Sequence, residues 1–182
     1  MDAVSGAAVQ GGEGAGDIGW LHRAWVTTQV VRHYRVVYRF ANTLLRDRAA
    51  AEDVVQECFL RLCRQVTLPD APRAWLLCVA RNLSLDRLRR KGPVEFDSEL
   101  LAVLPEQAAP EPPEGFDEAR LASLPSAVAR LVEPQRSLVH LFYHEGLSGA
   151  ECAAVTGLNP NQVKVYLHRA RRALRQALEA VR

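Results

Sequence analysis

Apolar residues recur along this chain at the spacing of helices. Val37, Phe40, Ala41 and Leu44 share one face and predict a helix from about Trp20 to Leu45, with a break near Val31 to Arg35. Val54, Val55, Cys58, Phe59 and Leu62 form a second stripe, on a helix from about Ala49 to Gln65. A third helix follows Pro72 and carries Trp75, Val79 and Leu83. None of this requires a strand, and the pattern predicts an all-α fold.

Near the C-terminus the punctuation is sharper than the stripes. Ser148-Gly149-Ala150-Glu151 is a capping box: the Ser hydroxyl takes a free N–H of the first turn and Glu151 returns the bond. Gly157 closes that helix by adopting the left-handed conformation, and Leu158 supplies an apolar contact beneath the turn. Asn159-Pro160-Asn161-Gln162 then opens another, with Asn159 as N-cap, Pro160 where its missing N–H costs nothing, and Gln162 three residues on. Two capped helices joined by so short a turn match a helix-turn-helix.

The second of these helices separates by face. At 100° per residue, Val163, Leu167, Ala170, Leu174 and Leu178 form an inward stripe, with Asn161, Val165, His168 and Arg172 opposite. Tyr166 lies on the edge of the apolar face, where packing is expected. Lys164, Arg169, Arg171 and Arg175 flank the outward side, which suits phosphate contact around a base-reading centre. A basic run alone would more often be a solvated face. Two capping boxes and a glycine turn in register favour DNA binding.

Net charge is +2, but its distribution is uneven. The segment from Gly92 to Glu118 carries −8 with no Lys or Arg, which leaves +10 on the rest. It also holds Pro93, Pro105, Pro110, Pro112 and Pro113, which disfavour a continuous helix and predict a flexible acidic linker with a short turn around Glu99 to Leu104. The expected organisation is a disordered tail at 1–19, a helical domain at 20–91, the linker at 92–118 and a helix-turn-helix domain at 119–182. At about 3.3 Å per residue such a linker reaches roughly 90 Å, enough for two domains to bind well-separated sites.

Other chemistry is thinly represented. The Gly- and Ala-rich tail lacks the basic start and apolar core of a signal peptide, and no run approaches a membrane span, so a soluble cytoplasmic protein without membrane insertion is expected. Cys58, Cys63, Cys78 and Cys152 show no C-x-x-C spacing and read as buried thiols. His140 and His144, at i and i+4, could share a metal or serve a metal-dependent enzyme with a cysteine, but two ligands without a third do not make a site. No cofactor, metal or catalytic residue is expected.

The N-terminal domain has its own polar features. Glu52, Asp53, Gln56 and Glu57 cluster on one side of the second helix, either as a docking surface or as a solvated face with acids well placed near a helix start. The third helix ends Arg81-Asn82-Leu83-Ser84-Leu85-Asp86-Arg87-Leu88-Arg89-Arg90-Lys91, a cationic excess beyond what capping needs. That excess suggests backbone contact to nucleic acid, including an unpaired strand. Trp75 falls on the apolar stripe and reads as core.

The runs AEDVVQECFLRL (Ala51 to Leu62), WLLCVARNLSLDRLRR (Trp75 to Arg90) and GLSGAECAAVTGLNPNQVKVYLHRARRAL (Gly146 to Leu174), in this order, resemble the bacterial sigma factors, specifically the extracytoplasmic-function (ECF) group of the sigma-70 family. The resemblance implies a promoter-specificity subunit of RNA polymerase, with an N-terminal domain reading and melting the −10 element and a C-terminal domain reading the −35 element. It places Asp53, Gln56 and Glu57 on the clamp helices of the core enzyme, and Arg81, Asn82, Asp86, Arg89 and Arg90 in −10 recognition and melting. Asn161, Gln162, Lys164, Val165, His168, Arg169 and Arg172 would face the −35 element.

The partners so implied are core RNA polymerase, through the clamp helices and flap of its large subunits, promoter DNA and an anti-sigma factor. The acidic linker would thread the polymerase's RNA path. Two departures stand out. The loop Val66 to Ala71, where the family holds a flipped base, looks short, and Val165 and Tyr166 replace more polar residues. The alternative is a stand-alone helix-turn-helix regulator whose N-terminal helices only dimerise.

Overall fold

The computed structural model describes residues 14–92 and 118–180. The tail before Gly14, the acidic connector with its turn at Glu99 to Leu104, and the last two residues lie outside the described residues. Seven α-helices are described: α1 (Gly14–Leu45), α2 (Arg48–Cys63), α3 (Pro72–Lys91), α4 (Glu118–Arg130), α5 (Gln135–Val139), α6 (Gly149–Thr156) and α7 (Pro160–Glu179). Helix α5 runs on into a π-helical turn over His140–His144.

Helix α1 is one unbroken rod, which corrects the expected break at Val31 to Arg35, and it starts at Gly14, six residues before Trp20, which corrects the expected end of the disordered tail at 19. That stretch contains no Gly or Pro, buries His33, and is braced by the stacked rings of Tyr34 and Tyr38 one turn apart, 6.3 Å between centroids. Helix α2 begins under Asp47, whose side chain accepts from Ala50 N at 3.1 Å and from Lys91 Nζ at 3.2 Å. These bonds, the backbone one foremost, hold the Asp47 carboxyl below its usual range. Its stripe is buried as the pattern predicts, and Trp75 is half-buried against the same core.

Helices α4 and α5 were not singled out in the pattern, although Leu124, Val128 and Leu131 repeat at helical spacing. With α7 they form a small second cluster around Leu131, Val139 and Ala170.

The two domains do not stand apart. A single apolar cluster runs from Phe40, Leu44, Leu62, Leu76 and Leu77 through Leu138 and Leu141 to Leu147, Cys152, Val155, Val163 and Leu167. Helix α3 packs on α6, and α1 on α5 and its π-turn. The apolar faces of α3 and α6 bring them together.

The thiols divide. Cys58 and Cys152 are buried, Cys78 is half-buried and Cys63 is exposed. Cys63 follows the last buried position of α2, Leu62, and points off the stripe, which corrects its reading as a core residue. Burial pushes the Cys58 thiol up to about 12 and that of Cys152 to about 11, so both stay protonated.

Candidate nucleic-acid interface

The helix-turn-helix is built as its punctuation dictates. Ser148 Oγ accepts from Glu151 N at 3.3 Å, and Glu151 Oε2 accepts from Ser148 N at 2.8 Å and from its hydroxyl at 2.7 Å. Those two Ser148 bonds, the hydroxyl's first, hold the Glu151 carboxyl below its ordinary range. Gly157 has φ +73°, which a Cβ would strain, and its N–H closes α6 on Ala153 O at 2.9 Å. Asn159 Oδ1 then accepts from Gln162 N at 2.8 Å, while Gln162 Oε1 accepts from Asn159 N at 2.9 Å. Both boxes are complete, so each helix start is fixed by side-chain-to-backbone hydrogen bonds, and Leu158 packs against the core beneath the turn between them.

Helix α7 buries Val163, Tyr166, Leu167 and Ala170. Asn161, Lys164 and Arg172 are exposed, and Val165, His168 and Arg169 are half-buried on its outer side. Gln162 is tied to the cap through its carbonyl oxygen, and Arg171 Nε donates to Leu167 O, so these two side chains lean along the helix. The outer stripe faces away from the N-terminal helices, because α7 rests on α4, α5 and α6.

The N-terminal candidates fall into three groups. On α2, Asp53 and Gln56 are exposed and Glu57 is half-exposed, forming the acidic patch. The patch is partly neutralised. Arg87 Nη1 donates to Asp53 Oδ2 and to Ala50 O, both at 3.1 Å, tying α3 to α2, while Arg61 pairs with Glu57 at 2.8 Å and Arg48 with Glu52 at 3.3 Å. On α3, Asn82, Asp86, Arg89 and Arg90 lie exposed along one stripe, with Arg89 Nη1 3.5 Å from Asp86 Oδ1. The loop before α3 presents Val66 and Leu68 to solvent.

Arg81 lies apart from that stripe. It is 8% exposed, donates from Nη1 to Thr156 O at 3.3 Å and sits 3.7 Å from Glu133 Oε2. Burial pulls its guanidinium down from its ordinary value, with Glu133 pushing the other way. Arg81 shares a face with Leu77, Ser84 and Leu85, all buried, one residue off the exposed stripe.

The structure also gathers residues that the sequence pattern did not connect. The Glu145 carboxylate, with a side chain 2% exposed, receives Arg39 Nη2 at 3.1 Å and Arg73 Nη2 at 2.9 Å, and lies 3.2 Å from His140 Nε2. Arg73 also donates to Glu145 O. His140 has its Nδ1 3.2 Å from Thr43 Oγ1 and its ring beside Phe40 and His144, at 5.3 and 5.2 Å between centroids. No group of three or more metal-ligating side chains occurs among the described residues. In the sequence this site is hinted at by the His140 and His144 pair at i, i+4 and by a lone acid next to Gly146, and nothing in either ties them to Arg39, Thr43 or Arg73.

Residues 29–93 match the family model of sigma-70 region 2, and residues 121–174 that of sigma-70 region 4. Over 154 residues the chain is 36% identical to the ECF RNA polymerase sigma factor SigL of Mycobacterium tuberculosis, covering 81% of this chain and 85% of SigL. The chain belongs to the ECF RNA polymerase sigma factors. SigE of Mycolicibacterium smegmatis is 34% identical over 158 residues; that match takes in 82% of this ECF sigma factor but only 60% of SigE. The same fold is seen in the sigma factor RpoE of Bartonella quintana, solved with the anti-sigma factor NepR, at TM-score 0.60, 24% identity and coverage of 86% of this chain and 98% of that one. CnrH, solved with the cytosolic domain of CnrY, shares it at TM-score 0.63 and 23% identity, over 91% and 95% of the two chains.

Family membership settles the class of function: a transcription initiation factor. A lone helix-turn-helix regulator that uses its first helices only to dimerise does not account for the region 2 match. Among the described residues no helix is long and apolar enough to cross a membrane.

Proposed function

We propose that this sigma factor acts in the cytoplasm, without catalytic activity of its own, by docking on core RNA polymerase and carrying two DNA-reading surfaces to a promoter. Asp53, Gln56 and Glu57 on α2 engage the clamp helices of the core enzyme. The exposed stripe of α3, Asn82, Asp86, Arg89 and Arg90, meets the −10 element and its separated strand, with Arg81 joining it when its face is uncovered. On α7, Asn161, Val165 and His168 read base edges of the −35 element, while Lys164, Arg169 and Arg172 take phosphates and Gln162 holds the helix start. The organisation into a region 2 domain at 20–91, a connector at 92–118 and a region 4 domain at 119–182 serves that division. An anti-sigma factor is a further partner, as NepR is for RpoE.

The observation that carries this reading is the outer stripe of α7: a polar centre rimmed by cations, on a helix whose start is pinned by a complete capping box. The test is transcription in vitro with purified core RNA polymerase on a library of genomic fragments, with transcript starts mapped by sequencing. Starts that require this protein and share two upstream elements are expected. Absence of any dependent start overturns the proposal.

A further inference from the structure

The turn between α1 and α2 breaks two local rules within three residues. Arg46, the first residue past α1, has φ +53° and is the one non-glycine residue in the left-handed region among the described residues. Its N–H closes α1 on Asn42 O at 2.9 Å, in the position where helices favour glycine because a Cβ crowds the neighbouring carbonyl. Gly157 holds the equivalent place at the end of α6.

Arg48 breaks the second rule. It opens α2, whose first turn carries no acid, so a cation sits at the positive end of the helix dipole. Its side chain is 85% exposed, and its pair with Glu52 at 3.3 Å has the cation N-terminal to the acid, the weaker order on a helix. Asp47, between the two arginines, is already committed to Ala50 N and Lys91 Nζ.

Neither cost is offset within the fold. A cation gains from the dipole at the end of α1, but a basic residue in the last turn would gain it with ordinary helical backbone, and that turn has none. The bond from Lys91 to Asp47 sets this turn against the end of α3, where Arg89, Arg90 and Lys91 are exposed. Arg46, Arg48, Arg90 and Lys91 therefore stand at one end of the domain against only Asp47 and Glu52. Local rules broken together at one exposed place mark a site kept for a ligand, and a cationic excess selects an anion. Exposed side chains spread over a turn and two helix ends suit a row of backbone phosphates, which stay in water, better than a small anion that must be desolvated.

We propose that the turn Arg46-Asp47-Arg48 is a phosphate-binding edge of the N-terminal domain, extending the cationic end of α3 along duplex DNA. It positions the domain on the backbone and reads no sequence. The inference rests on the reading that α3 meets DNA.

The test separates charge from strain. Arg46→Gly removes both, Arg46→Ala removes the charge alone, and Arg46→Lys removes neither. Arg64→Ala takes an exposed cation from the opposite end of α2, where it suits the helix dipole. Fluorescence anisotropy of the full chain with a mixed-sequence duplex of about 30 base pairs, over a salt series, reads phosphate contact. Arg46→Gly and Arg46→Ala should each bind several-fold more weakly, with the logarithmic salt slope lower by about 0.9 for the phosphate lost. Adding Arg48→Ala to Arg46→Gly should double that drop, and Arg46→Lys should keep the parent slope. Urea unfolding reads strain: Arg46→Gly should have a higher midpoint than Arg46→Ala.

Parent-like affinity and slope in Arg46→Gly overturn the proposal, as does an equal loss in Arg64→Ala or a glycine variant no more stable than the alanine one. Weaker retention on immobilised core polymerase with unchanged DNA binding also overturns it and gives the turn to a protein partner. Duplex binding is read without polymerase, so a failed turn leaves the polymerase-dependent starts of the parent protein in place, whereas a failed promoter reading removes them.

Discussion

Acid should loosen this protein through His140, and the size of the effect follows from where the ring sits. Its side chain is 5% exposed, and burial holds its pKa down to about 4 against 6.5 in the open chain, with His144 and Arg39 acting in the same sense and Glu145 opposing. The sign is fixed by the proton count: between pH 4 and 6.5 the unfolded chain binds a proton that the folded protein refuses. Stability is therefore complete above pH 6.5 and is lost as pH falls toward 4. The difference amounts to roughly 3 kcal/mol, at up to about 1.4 kcal/mol per pH unit.

The informative variant is His140→Leu. Thr43 Oγ1 still donates to Arg39 O at 2.9 Å, and Glu145 keeps Arg39 and Arg73, so the substitution removes a titrating group without stranding a polar one. Urea unfolding followed by circular dichroism from pH 4 to 7.5 measures both slopes. His33 is also held down, chiefly by its burial, so some slope remains in the variant. A His140→Leu protein whose stability falls with acid as steeply as the parent's would refute the assignment.

Three further outcomes are expected. Asn159→Ala deletes the bond to Gln162 N and should cost about 1 kcal/mol, read as a lower urea midpoint with unchanged slope on denaturant. Arg172→Ala should weaken duplex binding and flatten its salt dependence by about one phosphate's worth in an anisotropy titration, since the residue is exposed at the centre of the outer stripe. Asp53→Ala with Gln56→Ala should reduce retention on immobilised core polymerase; loss of the exposed Arg87–Asp53 pair costs only about 0.2–1 kcal/mol, so circular dichroism should report an intact fold.

Local rules were legible wherever the chain satisfies its own backbone. The capping boxes at Ser148 and Asn159 and the left-handed Gly157 each depend on residues within four positions of one another, so they could be read without knowing the fold. Helix α5 was harder, because a five-residue helix running into a π-turn has too few periods to register. Arg81 shows a different limit. Its place beside Leu77, Ser84 and Leu85 was readable from the 3.6-residue period, but the acid that receives it, Glu133, is far along the chain and beyond the connector.

Sequence alone was enough for α2, α3, α6 and α7, the caps of the last two, the outer stripe of α7 and the family to which the chain belongs, because each is carried by neighbours in the chain or by motifs in a set order. Tertiary structure was needed to show that the two domains close on one another and which charges meet between them. Glu145 draws Arg39 and Arg73 from about 106 and 72 residues away, and nothing local to any of the three announces the meeting. Long-range pairs of this kind depend on which faces pack, and α3 packs on α6 through apolar surface whose partner is named by no period or motif.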